Sequence, residues 1–274
     1  MRWRTALGST PYYVLAGGLA ILFLFPLVWT AVASVSPQPA TAQQVGYGFG
    51  NYRTLMAYDA GLPAYLFNSA YVSVLTVIFT VALSVLGGYA FARFRFIGRD
   101  VLFLLIIAIL MVPYATLLIP LWVFFGEMGL RNSRLGLAIV MTLYQLPFAM
   151  FMMRISFEAV PRELEESAMV DGCGTFGVLR RIMLHAVWPG TITVALFAFL
   201  SAWNDFIAPL FLISDNTRYP LSLAVATLRV QSHGAIDFGV TQAGVVVMAV
   251  PCLLLFVLLQ RHYVRGFMSG ALKG

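Results

Sequence analysis

Residues Arg154 to Arg181 read RISFEAVPRELEESAMVDGCGTFGVLRR. The stretch carries nine charged side chains: Arg154, Glu158, Arg162, Glu163, Glu165, Glu166, Asp171, Arg180 and Arg181. The whole 274-residue chain has only 17 basic and 11 acidic residues. Almost everything around this stretch is apolar. A segment this polar cannot lie in hydrocarbon, where unpaired charge and unbonded backbone are both costly. It must project into water, so the fold reads as apolar spans arranged around one charged loop.

The loop has its own grammar. Pro161 can open a helix, since its missing N–H would be unpaired there anyway. Leu164 and Ala168 then share a face at i, i+4, with Ser167 beside them, while Glu163 and Glu166 fall elsewhere. Gly172 suits a helix end, because it accepts a left-handed conformation without steric cost. Asp171 sits badly at the negative end of that first helix and well as the N-cap of a second helix starting at once. Phe176, Leu179 and Met183 would make an apolar stripe on the second helix. The spacing predicts two short helices at a glycine corner, with Ser167 and Ala168 small enough to let another surface approach.

Composition sets the class. The chain is 61% hydrophobic and 10% charged, with a mean hydropathy of +0.88. That is a polytopic, all-α membrane protein rather than a soluble domain. The net charge of +6 comes from basic residues scattered at span ends, so it does not point to nucleic acid. A membrane helix needs about 20 apolar residues. Six charge-free stretches qualify: Tyr12–Ser34, Asn68–Phe91, Val101–Gly126, Leu135–Met153, Ala186–Asn204 running on toward Ser214, and Phe238–Gln260. The chain is therefore expected to be a single transmembrane domain over 1–274, with its water-facing loop at 154–185. With both termini inside, twelve basic residues lie on the inner side and five on the outer. This favours cytoplasmic termini and a cytoplasmic loop. The opening Met1-Arg-Trp-Arg and its apolar run mimic a secretory signal, but the run is too long for a typical signal core and is read as an uncleaved first span.

Cys173 and Cys252, expected in a loop and in a span, are read as small packing residues rather than a disulfide. His185, His233 and His262 show no metal-ligand spacing, so no metal site is expected. There is no G-x-x-x-x-G-K-[ST] phosphate loop and no nucleophile–base constellation, so the chain is not read as an enzyme.

The run Glu166-Ser167-Ala168-Met169-Val170-Asp171-Gly172, followed by Ile182-Met183-Leu184 and Pro189, resembles the E-A-A-x-x-D-G…I-x-L-P…P signature of ABC importer permeases. Ser167 stands for one of the two usual Ala residues, and His185 for the usual Pro. The missing proline leaves the re-entry into the next span less fixed. Gly87-Gly88-Tyr89-Ala90-Phe91-Ala92-Arg93-Phe94-Arg95-Phe96 is similar to the same place in sugar permeases of the maltose type; on physical grounds alone it is an interfacial anchor. Trp203-Asn204-Asp205-Phe206 resembles the family's W-N-[DE]-F element. Phe49-Gly50-Asn51-Tyr52 and Phe67-Asn68-Ser69 resemble landmarks before the second span, and residues 267–274 resemble the tail of the second permease of carbohydrate importers.

The resemblance implies one of two permease subunits, paired with two ATPase subunits and an external substrate-binding protein. ATP and Mg would be bound by the ATPase, with no cofactor in this chain. Glu166, Ser167, Ala168, Asp171 and Gly172 would form the coupling helix that docks on the ATPase. The substrate class it implies is a sugar: an oligosaccharide, an amino sugar or a glycerophosphodiester. An amino-acid or polyamine importer is the nearer rival, and a secondary transporter the more distant one. Elsewhere the residues leave alternatives open. Pro113 and Pro120 in span three, and Tyr144, Gln145 and Pro147 in span four, mark either a transport path or plain kinks. Asp205, with Pro209 one turn on, is costly in a membrane unless paired or watered. It is a structural contact satisfied by Asn204 or by a partner, or part of the solute path with Asn204, or a group at the external interface. The segments 35–67 and 215–237 are solvated connectors or contacts for the binding protein.

Overall fold

A computed structural model describes the backbone of residues 2–37, 46–231 and 238–271, and the side chains of 12–37, 46–228 and 238–260. Pro39, His233, and the side chains of Arg229, His262 and the tail lie outside the described residues. Thirteen α-helices follow one another, with no strand among the described residues. They are α1 (Arg2–Val35), α2 (Gly50–Ala57), α3 (Leu62–Arg93), α4 (Arg99–Ala108), α5 (Tyr114–Glu127), α6 (Arg134–Glu158), α7 (Arg162–Val170), α8 (Thr175–Val178), α9 (Leu184–Ala186), α10 (Trp188–Asn204), α11 (Ile207–Leu212), α12 (Leu221–Gln231) and α13 (Phe238–Ala271).

Four of them, α1, α3, α6 and α13, are each long and apolar enough to cross a bilayer. The other two expected spans are broken. The third bends by 103° between Arg99–Met111 and α5. Pro113 explains the break: its ring disfavours helix at the preceding residue, and Val112 duly sits extended at φ −84°, ψ 122°. Pro120, Pro147 and Pro251 lie inside α5, α6 and α13 without ending them. The fifth span is entered through a 79° bend between Thr175–Ala186 and α10. That bend forms without a proline at His185. Val187 leaves the helix at φ −94°, ψ 10°, and Pro189 occupies the first turn of α10.

The chain divides into two compact units: Met1–Leu62 with Val225–Val250, and Pro63–Ala224 with Pro251–Gly274. In the first unit, the segment expected to be a solvated connector or a contact before the second span contains a helix, α2. Buried Asn51 fixes it by donating to the carbonyls of Ser34 (2.9 Å) and Ser36 (3.2 Å) at the end of α1. Tyr52 shares a hydrogen bond of 2.9 Å with Ser34.

The second unit holds two buried apolar clusters. One face of α3 is a stripe of buried small polar residues, Ser69, Ser73, Thr76, Thr80 and Ser84. Small side chains let helix backbones approach closely. One such approach, of α3 to α6, is at Gly88, where an added Cβ would lie 2.6 Å from Met153 Cβ and 2.9 Å from the Arg154 backbone nitrogen. One apolar cluster joins Val85, Tyr89, Met153, Phe157, Ala168, Val178 and Met183. A second joins Val72, Leu118, Phe125, Leu137, Met141, Ala202 and Leu212.

Candidate functional site

The charged loop folds as α7 followed by α8, a π-turn at Leu179–Met183 and α9. Pro161 (φ −56°, ψ 138°) directly precedes α7, and Glu163 and Glu165 fall in its first turn, where the helix dipole favours negative charge. Gly172 ends the helix at φ +86°. Its N–H donates to Met169 O and the Cys173 N–H to Ala168 O, each at 3.0 Å. These paired bonds satisfy the terminal carbonyls of α7. They also correct the reading of Asp171. Its N–H bonds Ser167 O at 3.1 Å, so it belongs to the end of α7. The next helix starts only at Thr175, with Gly174 at its N-cap.

The buried face of α7 consists of Glu165 and Ala168. The expected Leu164–Ala168 face is therefore corrected. Leu164 is 49% exposed, while Ala168 packs inward with Tyr89 and Phe157 rather than offering a close approach to another protein. Phe176 likewise points outward, and Val178 takes its place beside Leu179 and Met183 in the core. Outward from α7 face Glu166, Ser167, Met169 and Val170, the last 88% exposed. Asp171 and Gly172 are exposed at the corner. The result is a small apolar surface flanked by the exposed carboxylates of Glu163, Glu166 and Asp171, ending at the Gly172 turn.

Glu165 was not singled out by its residue type, and its environment sets it apart. Arg93, the last residue of α3, places Nε 3.0 Å from Glu165 Oε2, and both side chains are nearly buried. Arg93 Nη2 also donates to the Val160 carbonyl at 2.8 Å, and Tyr89 donates its hydroxyl to Glu165 Oε1. The signal available in sequence was the i, i+3 relation of Glu165 to Ala168. It competed with the equally regular Leu164–Ala168 relation.

Asp205 sits where α10 ends and α11 has yet to begin. Its Oδ2 accepts the Tyr114 hydroxyl and its Oδ1 the Ala208 N–H, each at 2.8 Å. Its carbonyl accepts the Ser222 hydroxyl at 2.7 Å. Tyr144 packs edge-on against Tyr114, with ring centroids 5.0 Å apart. The expected Asn204–Asp205 pairing is not found. Asn204 is exposed and donates instead to Leu200 O at 2.9 Å. A turn of one residue at the end of α10 sends the two side chains in different directions. Both cysteines are free thiols, with Cys252 Sγ 3.8 Å from the Asn204 amide.

A polar knot joins Asn68 and Ser69, expected at the start of the second span, to Asn132, Arg134 and the 214–221 segment. Asn68 donates to Thr217 O (2.9 Å) and Tyr219 O (3.0 Å) and accepts from Arg134 (2.9 Å). Ser69 caps the Leu221 N–H at 2.8 Å. Asn132, at φ +52°, accepts from the Ser214 and Asp215 amides. Thr217 and Arg218 hold the half-buried Asp215 carboxyl below the ordinary carboxylate range, the Thr217 hydroxyl bond contributing most.

The comparisons with known proteins agree with this architecture. Residues 83–268 match the family described as "Binding-protein-dependent transport system inner membrane component". The sulfoquinovosyl glycerol transport system permease protein SmoH of Agrobacterium fabrum is 34% identical over 97% of this chain and 95% of its own. The diacetylchitobiose uptake system permease protein DasC of Streptomyces coelicolor is 31% identical over 99% of both. Among solved structures, a bacterial ABC transporter involved in import of the acidic polysaccharide alginate superposes with a TM-score of 0.78 at 21% identity, covering 96% of this chain and 98% of that one. The chain belongs to the family of inner membrane components of binding-protein-dependent transport systems, and is an ABC-type transport permease.

Proposed function

We propose that the chain is one of two transmembrane subunits of an ATP-driven importer for a carbohydrate, and that its 154–185 segment is the surface its ATPase grips. The observation that carries this reading is the outward face of α7. Glu166 and Ser167 stand beside exposed Leu164, Met169 and Val170 on a helix locked at its end by Gly172. Exposed apolar residues clustered beside carboxylates are what a docking groove needs: burial for affinity and charge for register. In this arrangement Glu166 and Ser167 touch the ATPase, Asp171 and Gly172 hold the corner, and Ala168 holds the helix to the bundle. ATP and Mg bind to the ATPase subunits, and a separate binding protein delivers the solute. Both termini then lie in the cytoplasm.

The substrate class follows from the relatives, two of which are named for a sugar-bearing glycerol and an amino-sugar disaccharide. For the solute path, Asn204 keeps an exposed side chain, while the carboxylate of Asp205 is occupied by Tyr114 and Ala208. Asn204 is the direct candidate, and Asp205 the residue that orients its turn.

Reconstitution in vesicles with the partner permease, the ATPase and the binding protein tests the proposal. Uptake of a glycoside that requires ATP hydrolysis is the expected result. Uptake driven by an ion gradient without any ATPase, or by ATP only for amino acids, would overturn it.

A further inference from the structure

The exposed face of α7 explains how a partner could hold the loop, not how a pull on the loop would reach the membrane helices. A nine-residue helix has only two buried anchors, Glu165 and Ala168. Ala168 ends in a methyl group and can slide against its neighbours. Glu165 cannot, because its carboxylate is committed at both oxygens. Oε2 lies 3.0 Å from Arg93 Nε, with the two side chains 5% and 10% exposed, and Oε1 accepts the Tyr89 hydroxyl. Tyr89 and Arg93 stand one turn apart on the last stretch of α3, so both grip α7 from the same helix. Arg93 also donates to Val160 O at 2.8 Å, in the turn that leads from α6 into α7. Tyr89 packs edge-on to Phe157 of α6, with ring centroids 5.4 Å apart.

We infer that Glu165, Arg93 and Tyr89 form the joint through which motion of the docking helix is passed to α3. Removing one member would leave a buried charge without its counter-charge, so the pair does not part easily once formed. A displacement of α7 is therefore shared by the end of α3. That helix carries the small polar stripe from Ser69 to Ser84, and its Thr76 hydroxyl bonds Ala138 O of α6 at 3.3 Å. Glu165, Arg93 and Tyr89 are positioning residues: they touch neither solute nor nucleotide, and they act by holding Glu166 in a fixed relation to the bundle. The role is distinct from that of Glu166, one residue away, whose side chain faces outward.

This inference rests on the docking reading above, and its test separates the two. The whole transporter is reconstituted with wild-type chain, with Glu165→Gln, and with the paired replacement Arg93→Met with Glu165→Met. The paired replacement matters because a buried ion pair exchanged for apolar side chains of similar volume is often neutral for stability. Three quantities are read: ATPase retained on the purified complex, ATP hydrolysis, and solute taken up per ATP. The joint predicts retained ATPase, hydrolysis within about twofold of wild type, and uptake per ATP reduced about tenfold in both variants, a coupling loss of ordinary allosteric size. Unchanged uptake per ATP in the paired variant would overturn the inference, since packing alone would then suffice. Loss of the ATPase from either variant would also overturn it, by making the contact part of docking or folding. A wild-type chain that retains no ATPase would instead refute the docking reading itself.

Discussion

Gly172 concentrates the chemistry of the corner in one backbone angle. At φ +86° an added Cβ meets nothing within 4 Å, so any side chain there is penalised by conformation alone. For most residues the left-handed region costs roughly 1–2 kcal/mol, while asparagine visits it more readily. Gly172→Val should therefore loosen the end of α7 and reduce ATP-coupled uptake, and Gly172→Asn should keep most of it. Equal transport by the two variants would mean the corner is not needed. Asp215 makes a second, pH-dependent prediction. Its carboxyl is held below the ordinary range by Thr217 and Arg218. A depressed folded-state pKa means that its stabilising contribution is complete above the ordinary aspartate pKa and is lost as pH falls through the depressed value. Protection of the 214–219 amides, corrected for the intrinsic exchange rate at each pH, should fall on acidification in the wild type, and Asp215→Asn should remove that acid dependence.

Among the elements, the contact between α3 and α6 leaves no room for a side chain at Gly88. A valine at Gly88 would drive its side chain into Met153 and the Arg154 backbone. Overpacking of this kind typically costs about 1–3 kcal/mol. Gly88→Val should lower the thermal midpoint in detergent, whereas Gly98→Ala, at a position with open space but positive φ, should show backbone strain without a packing clash. The apolar runs made the spans readable, since hydrophobic length is a direct physical requirement of the bilayer. Pro113 made the third-span break readable in the same way, because its missing N–H is a local fact. The bend at Val187 was only half readable: Pro189 marks the first turn of a new helix, but nothing local sets the 79° between that helix and the segment before it. The short α2 was hidden for a similar reason. Its stability comes from Asn51 reaching back to the carbonyls of α1, a contact across a segment that local propensity cannot see.

For the molecule as a whole, the sequence made the family motif at 166–172 legible but not which side of its helix faces out. A short polar helix offers several self-consistent faces, and only the buried Arg93 and Tyr89 select the one bearing Glu165 and Ala168. That choice separates two neighbouring positions on α7: Val170 is 88% exposed and Ala168 5%. In a background of Cys173→Ser and Cys252→Ser, single cysteines at these two positions can be tested for crosslinking to the ATPase in the assembled transporter. Efficient crosslinking through Val170→Cys and little through Ala168→Cys is the predicted result. Crosslinking through neither, or through Ala168→Cys alone, would contradict the claim that this face of α7 is where the ATPase takes hold.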